Sequence, residues 1–260
     1  MHFAASRSTV LLANFTQREF KLRFAGSVLG VGWALLGPVI LLGIYSLVFG
    51  QFFAQQGLKG SVSYIGYVAI ALWPWMMFAD GTTRGMMAIQ QNASLVKKIT
   101  FPHALLVVSA VNAVFLQHAL GYVVVLAILQ SLGLLQIHLV GLIVAIPLLA
   151  ALYVLTTGIA LALASLQTLL KDVEQGIAPA LMMLHFLTPV MYPVSMIPAS
   201  YRDIIAFNPL AYLSARLRAT LLSGEGFLFQ DLAFIGIGVA VAVAGYALFT
   251  RLSPYFEDFL

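Results

Sequence analysis

Residues 139–169 read LVGLIVAIPLLAALYVLTTGIALALASLQTL, a run without a single charged side chain. A helix needs about 20 mostly apolar residues to cross the hydrocarbon core of a bilayer. A helix also satisfies its own backbone hydrogen bonds where no water is at hand. This stretch therefore predicts a membrane-spanning helix. Working outward, five further apolar segments of the same kind fall at roughly 30–53, 62–83, 104–132, 176–197 and 228–251. The composition agrees: 62% of the 260 residues are hydrophobic and only 8% are charged, with a mean hydropathy of +0.99. A soluble chain of this length could not bury so much apolar surface. The expected fold is an all-α membrane protein with six transmembrane helices.

The segments between the spans carry the remaining information. The expected organisation is a single permease-like domain over 1–260. Residues 1–27 form a cytoplasmic interfacial helix and 28–197 hold spans one to five. Residues 198–226 are a re-entrant outer segment, and 227–260 are span six with a cytoplasmic tail. In the N-terminal segment Leu11, Phe15 and Leu22 share a helical face, with Asn14, Gln17 and Lys21 beside them. That pattern suits an amphipathic helix lying at the membrane surface. Between Pro198 and Gly226, two short apolar pieces are bounded by Asn208-Pro209 and Gly224. Each is too short to span, so they read as re-entrant or interfacial helices. The first apolar segment starts too late and lacks a small-residue cleavage site, so it reads as an uncleaved span.

Charge gives orientation. Of the 13 Lys and Arg residues, Arg7, Arg18, Lys21, Arg23, Arg84, Lys97, Lys98, Lys171 and Arg251 fall on one side of the spans. Lys59, Arg202, Arg216 and Arg218 fall on the other. The richer side is expected to be cytoplasmic and to hold both termini of a multi-pass inner-membrane protein. The net charge of +4 thus reflects membrane orientation, and nucleic acid is not an expected partner.

Several chemistries are excluded. The chain has no cysteine, so thiol catalysis and disulfides are ruled out. Gly26, Gly30, Gly32 and Gly37 are not followed by the Lys-Ser/Thr of a phosphate-binding loop. His103, His118, His138 and His185 are scattered rather than spaced as metal ligands. No cofactor, metal or catalytic residue is expected in this chain, and it is not expected to be an enzyme. Inside the spans, Asp80 and Arg84 are four apart and can pair on one helix face, while Asn112, Gln117 and His118 suit interhelical hydrogen bonds. Aromatic residues Tyr45, Phe49, Phe52 and Phe53 recur along span one, and Phe186 and Tyr192 lie in span five. Aromatic faces suit a sliding sugar polymer, and they equally suit packing. Trp73 and Trp75 fit an interfacial belt.

The stretches Arg18 to Phe24, Gly26 to Gly30, Trp33 and Pro38 resemble the start of type-2 ATP-binding-cassette permeases that export polysaccharides. Asn92-Ala93-Ser94-Leu95-Val96-Lys97-Lys98-Ile99-Thr100-Phe101-Pro102 is similar to that family's cytoplasmic loop. Thr188-Pro189-Val190-Met191-Tyr192-Pro193 and Asn208-Pro209-Leu210 are similar to its late motifs. His103-Ala104 and Ala211-Tyr212 depart from the usual pattern. The resemblance implies a homodimer that binds two copies of a separate ATPase subunit, which would hold ATP and Mg²⁺. It implies a substrate of undecaprenyl-diphosphate-linked polysaccharide, of the O-antigen or teichoic acid type.

Site expectations follow. Arg18, Lys21 and Arg23 would receive the lipid diphosphate, since each basic side chain near the membrane adds roughly 1 kcal/mol of attraction to anionic lipid and Arg binds phosphate bidentately. Tyr45, Phe49, Phe52, Phe186 and Tyr192 would line the channel, span one of one protomer facing span five of the other. Leu95, Lys97, Lys98, Phe101 and Pro102 would couple to the ATPase subunit. Pro209, Tyr212 and Arg216 would belong to an outer gate. Alternative readings are a type-2 exporter of a small lipid or drug and an ion-coupled secondary transporter. The latter would favour inverted repeats and several buried carboxylates.

Overall fold

The computed structural model describes residues 2–55 and 63–260, apart from the side chains of residues 2–7, 24, 31, 34 and 52–55. Lys59 and the side chains of Arg7, Phe24, Phe52 and Phe53, all used in the sequence reading, lie outside the described residues. Every regular element among the described residues is helical. In chain order these are α1 (His2–Phe24), α2 (Trp33–Gln55), α3 (Tyr64–Gln91), α4 (Ala93–Lys98), α5 (Ala104–Ser131), α6 (Leu139–Leu169), α7 (Asp172–Leu187), α8 (Ala199–Ala206), α9 (Pro209–Ser223), α10 (Phe229–Leu252) and α11 (Phe256–Phe259).

Among the described residues, three helical stretches are long and apolar enough to cross a membrane: Ala104–Ser131, Leu139–Leu169 and Phe229–Phe259. The second contains the run quoted above. α3 is equally long, but Asp80, Arg84 and its glutamines dilute its apolar character.

α3 is the axis of the bundle. It packs against α5 and α6 along its length and against α2 and α9 nearer its start. Val68 to Trp73 are almost wholly buried there, so Trp73, and Trp75 close by, belong to the core rather than to an interfacial belt. The reason is that α3 is covered on all sides over Val68 to Trp73, which neither Trp could reveal from sequence. α10 packs on α6 through small residues: a side chain at Gly245 would meet the Gly158 carbonyl oxygen at 2.0 Å. Close backbone approach of this kind drives helix association where lipid is as apolar as the side chains. α1 lies against α5. Phe15 meets Phe101 at 5.7 Å, while Leu11 and Leu22 on the expected apolar face remain exposed.

The fifth apolar segment departs from expectation. It forms 16 residues of helix over Asp172–Leu187, about 24 Å at 1.5 Å per residue, less than the roughly 30 Å hydrocarbon core. Helix stops because Pro189 disfavours helical geometry in the residue before it; Thr188 is extended, with φ −101° and ψ 124°. Residues 188–198 continue as turns and a single 3₁₀ turn at Val194–Met196.

α9 begins where the Asn208 side chain accepts a hydrogen bond from the Leu210 N–H, with Pro209 in the first turn. It ends at Gly224, whose φ of 69° is the left-handed conformation that glycine adopts without steric cost. Between these caps α9 is mostly buried, packed against α3 and α6. α8 is mostly exposed, and Phe207 after it is 88% exposed.

Candidate functional site

Two cavities share α3. The first, of about 240 Å³, is lined by Arg18, Glu19, Leu22, Arg23, Arg84, Gln91 and Asn92. α1 and α3 supply these residues, with Asn92 at the C-terminal cap of α3. Arg18 donates to the Asn92 side-chain oxygen, and its guanidinium is 3.7 Å from Glu19. Arg23 Nη2 donates to Asp80 Oδ2 at 2.7 Å. Arg84 is exposed and makes no ion pair within 4 Å among the described residues. Three guanidinium groups thus face one cavity whose lining contains a single carboxylate, Glu19.

The second cavity, of about 320 Å³, is lined by residues of α2, α3 and α7, among them Tyr45, Trp75, Asp80 and His185. The Tyr45 hydroxyl and His185 Nε2 are 3.1 Å apart, and the two rings stack at 6.4 Å. Trp75 approaches the same imidazole at 5.0 Å. Asp80 joins the two cavities: its Oδ2 takes Arg23 from the first, while its residue borders the second. The same oxygen lies 3.0 Å from His118 Nε2.

These placements sort the sequence expectations. Arg18 and Arg23 meet in one cavity; Lys21 is exposed and outside its lining. Arg84 joins them, which the sequence reading missed by pairing it with Asp80 along the helix. Asp80 pairs instead with Arg23 and His118, because α1 and α5 bring better-placed donors than the same helix can. Asn112 accepts from the Tyr153 hydroxyl at 2.6 Å and donates to Thr16 at 3.4 Å, the interhelical role expected of it.

Of the aromatic set, Tyr45 and Phe49 are partly buried, with rings 6.4 Å apart. Phe186 is exposed, and the Tyr192 hydroxyl donates to the Phe186 carbonyl at 2.5 Å. α2 and α7 meet within one chain here, through Tyr45 and His185. His185 was set aside as a scattered histidine; its position beside Phe186 was the available signal.

At the opposite end of α3 from its Ser63 cap, α4 and the residues after it expose Lys97, Lys98, Ile99 and Pro102. Leu95 and Phe101 are partly buried. Phe101 rests on Phe15 and on His103, 5.2 Å away. Burial pushes the His103 pKa below its ordinary value, with Glu257 opposing.

The remaining expected residues form a lock. Arg216 donates to both oxygens of Asp231, from Nε at 2.9 Å and Nη2 at 3.0 Å, and to Glu225 at 2.8 Å. The Tyr212 hydroxyl donates to the same carboxylate at 2.7 Å, and Pro209 opens the helix that carries both. Arg218, which sequence reading counted only as a topological charge, is buried. It donates to the carbonyls of Tyr67, Pro189 and Val190 and lies 3.6 Å over the Tyr67 ring. It ties the break after α7 to α3 and α9.

Comparison with known proteins decides the family. Residues 11–222 match the family described as ABC-2 type transporter. The chain belongs to the ABC-2 type transporter family. This member is 27% identical over 252 residues to the O-antigen export system permease protein RfbA of Klebsiella pneumoniae, covering 96% of this chain and 95% of the relative. It is 28% identical over 211 residues to the RfbA permease of Myxococcus xanthus, covering 80% and 79%. It is 23% identical over 211 residues to the polysialic acid transport protein KpsM of Escherichia coli, again covering 80% and 79%. The match to this ABC-2 type transporter family takes in α3, both cavities and the Arg218 tie. Asp231, the carboxylate of the lock, falls beyond it.

Proposed function

We propose that this chain is the membrane subunit of an exporter that moves a lipid-linked polysaccharide out of the cytoplasm across the inner membrane. The observation that carries the reading is a guanidinium-rich cavity and an aromatic-lined one on the same helix, linked by the Arg23–Asp80 ion pair. Arginines hold phosphate oxygens with paired hydrogen bonds, and aromatic faces contact sugars without fixing a register. The names of its relatives, O-antigen export permeases over nearly the full chain, support the same cargo.

Two copies of the chain would build the conduit. In support, α2 and α7 leave Ile44, Leu47, Met182, Met183 and Phe186 exposed. Six crossings would follow if α2, α3 and α7 with the segment after it span beside the three long apolar stretches, with both termini cytoplasmic. α9 would then be a re-entrant element, fixed by its lock, with the exposed α8 as the mobile part of an outer gate. ATP and Mg²⁺ would be bound by two copies of a separate ATPase subunit docking on Lys97, Lys98, Ile99 and Pro102.

The test is purification of the chain from its native membrane. The expected companions are an ATPase subunit in equal amount and a diphosphate-linked glycan identified by mass spectrometry. Transport sustained by an ion gradient alone, with neither companion present, would overturn the reading.

A further inference from the structure

We infer that Asp80 is a built-in competing anion: its carboxylate occupies Arg23 until a phosphoryl group in the guanidinium cavity takes its place. The inference rests on the proposed function's reading of that cavity as the mouth for a phosphorylated substrate. It adds a residue and an exchange to it.

The geometry divides the three arginines by state. Arg18 is held by Asn92 and Glu19. Arg84 is exposed and free of ion pairs among the described residues. Arg23 is the one whose charge is met from outside the cavity: Asp80 is absent from the lining of the first cavity and present in that of the second. Arg23 is also only half satisfied, since its buried Nη1 has no hydrogen-bond partner. A guanidinium offers two parallel N–H donors to a carboxylate or a phosphate. A phosphoryl group bound by Arg84 would therefore give Arg23 a partner for its unused nitrogen once its guanidinium turns from Asp80 into the cavity.

Exchange does not strand the carboxylate. The Asp80 side chain is 41% exposed while that of Arg23 is 15% exposed, and His118 Nε2 already lies on the same oxygen. When Arg23 turns to the ligand, Asp80 keeps His118 and faces the cavity holding Tyr45, Trp75 and His185. The device has a use in transport. A mouth in which Arg23 and Arg84 were both unopposed would hold a diphosphate too long. A carboxylate waiting at one of them lowers apparent affinity by the fraction of time Arg23 is paired, and its return accompanies release.

The shared ligand chemistry is a phosphoryl group, whether on a lipid headgroup or free in solution. The test uses the full chain in nanodiscs, titrated with inorganic pyrophosphate and, in a second arm, with polyprenyl diphosphate placed in the disc. Asp80→Asn is expected to tighten pyrophosphate binding about tenfold, the effect of removing a competitor that keeps Arg23 occupied some nine-tenths of the time. Arg84→Gln should weaken it by about tenfold or more, and Lys21→Gln should leave it unchanged. Asp80→Glu, which keeps the competing charge, should bind as the unaltered protein does. A response of the lipid arm to the same variants assigns the group to a headgroup; a response of pyrophosphate alone assigns it to a soluble ligand.

A second measurement needs no variant at position 80. In ¹⁵N-arginine-labelled protein the Arg23 guanidinium signal, identified by its loss in Arg23→Lys, should move on addition of pyrophosphate. An unmoved Arg23 signal, or Asp80→Asn binding no tighter than the unaltered protein, overturns the exchange. If Arg84→Gln still weakens binding in that case, the mouth stands and only the exchange falls. If the unaltered protein binds neither probe, the mouth reading falls as well.

Discussion

Replacing Arg216 by methionine tests whether the α9–α10 junction is a lock or a moving gate. The Asp231 side chain is fully buried and that of Arg216 is 6% exposed. Arg216→Met would leave Asp231 with only the Tyr212 hydroxyl and the Leu228 N–H as donors. Removing one partner of a buried pair costs about 3–5 kcal/mol, because the other charge is left uncompensated. Asp231→Leu should fall at the lower end of that range, since Glu225 still neutralises Arg216. The double replacement removes both charges together and should recover at least about 2 kcal/mol of the summed cost, within the coupling seen for residues in one network. For a chain of this size, 3–5 kcal/mol corresponds to a fall of about 6–20 °C in Tm, read by thermal unfolding of the protein in nanodiscs. Additive single effects, or singles within about 0.5 kcal/mol of the unaltered protein, would refute the lock. An ion leak through Arg216→Met without loss of Tm would favour a gate that opens by breaking this contact.

Other outcomes follow from the same structure. Arg218→Met should loosen the segment after α7, because three backbone carbonyls lose hydrogen bonds to a charged donor, each worth about 1.5–3 kcal/mol before the relief of burying the cation is subtracted. Faster hydrogen exchange at residues 188–192 is the reading that checks it. Lys97→Glu with Lys98→Glu should reduce capture of the ATPase subunit while the chain stays folded in the membrane; Lys97→Gln with Lys98→Gln disturbing insertion alone would mark these lysines as topological only. Phe101→Ala should separate ATP hydrolysis from export, since it removes the ring that joins the α4 region to Phe15 of α1. His103 has its folded-state pKa lowered, so protonation favours the unfolded chain. Its contribution is present above the unfolded value near 6.5 and is lost as pH falls through the folded value, and His103→Gln should remove that part of the pH dependence of Tm.

The sequence alone determined the membrane environment, the helical class and the break points around α9. Those follow from properties that act locally: the absence of charge over 139–169, the breakers Asn208-Pro209 and the left-handed Gly224; the break at Thr188-Pro189, inside a segment apolar enough to read as one span over 176–197, showed only in the structure. Arg18 and Arg23 were legible as a candidate phosphate site because basic side chains beside a membrane attract anionic headgroups and Arg binds phosphate bidentately. What the tertiary structure decided was partnership between distant residues. Asp80 and Arg84 lie four apart on α3, and sequence could pair only those two; the fold offers Asp80 the donors of Arg23 and His118 from 57 and 38 positions away. Tyr212 and Arg216 were expected at an outer gate; that both meet at Asp231, beyond a glycine-bounded turn, is a partnership only the fold showed. Arg218 looked like a surface charge until α9 turned it inward onto the carbonyls that Pro189 had left without a helix. In each case a charged group in an apolar surrounding must find its counterpart, and which counterpart it finds depends on how the helices pack.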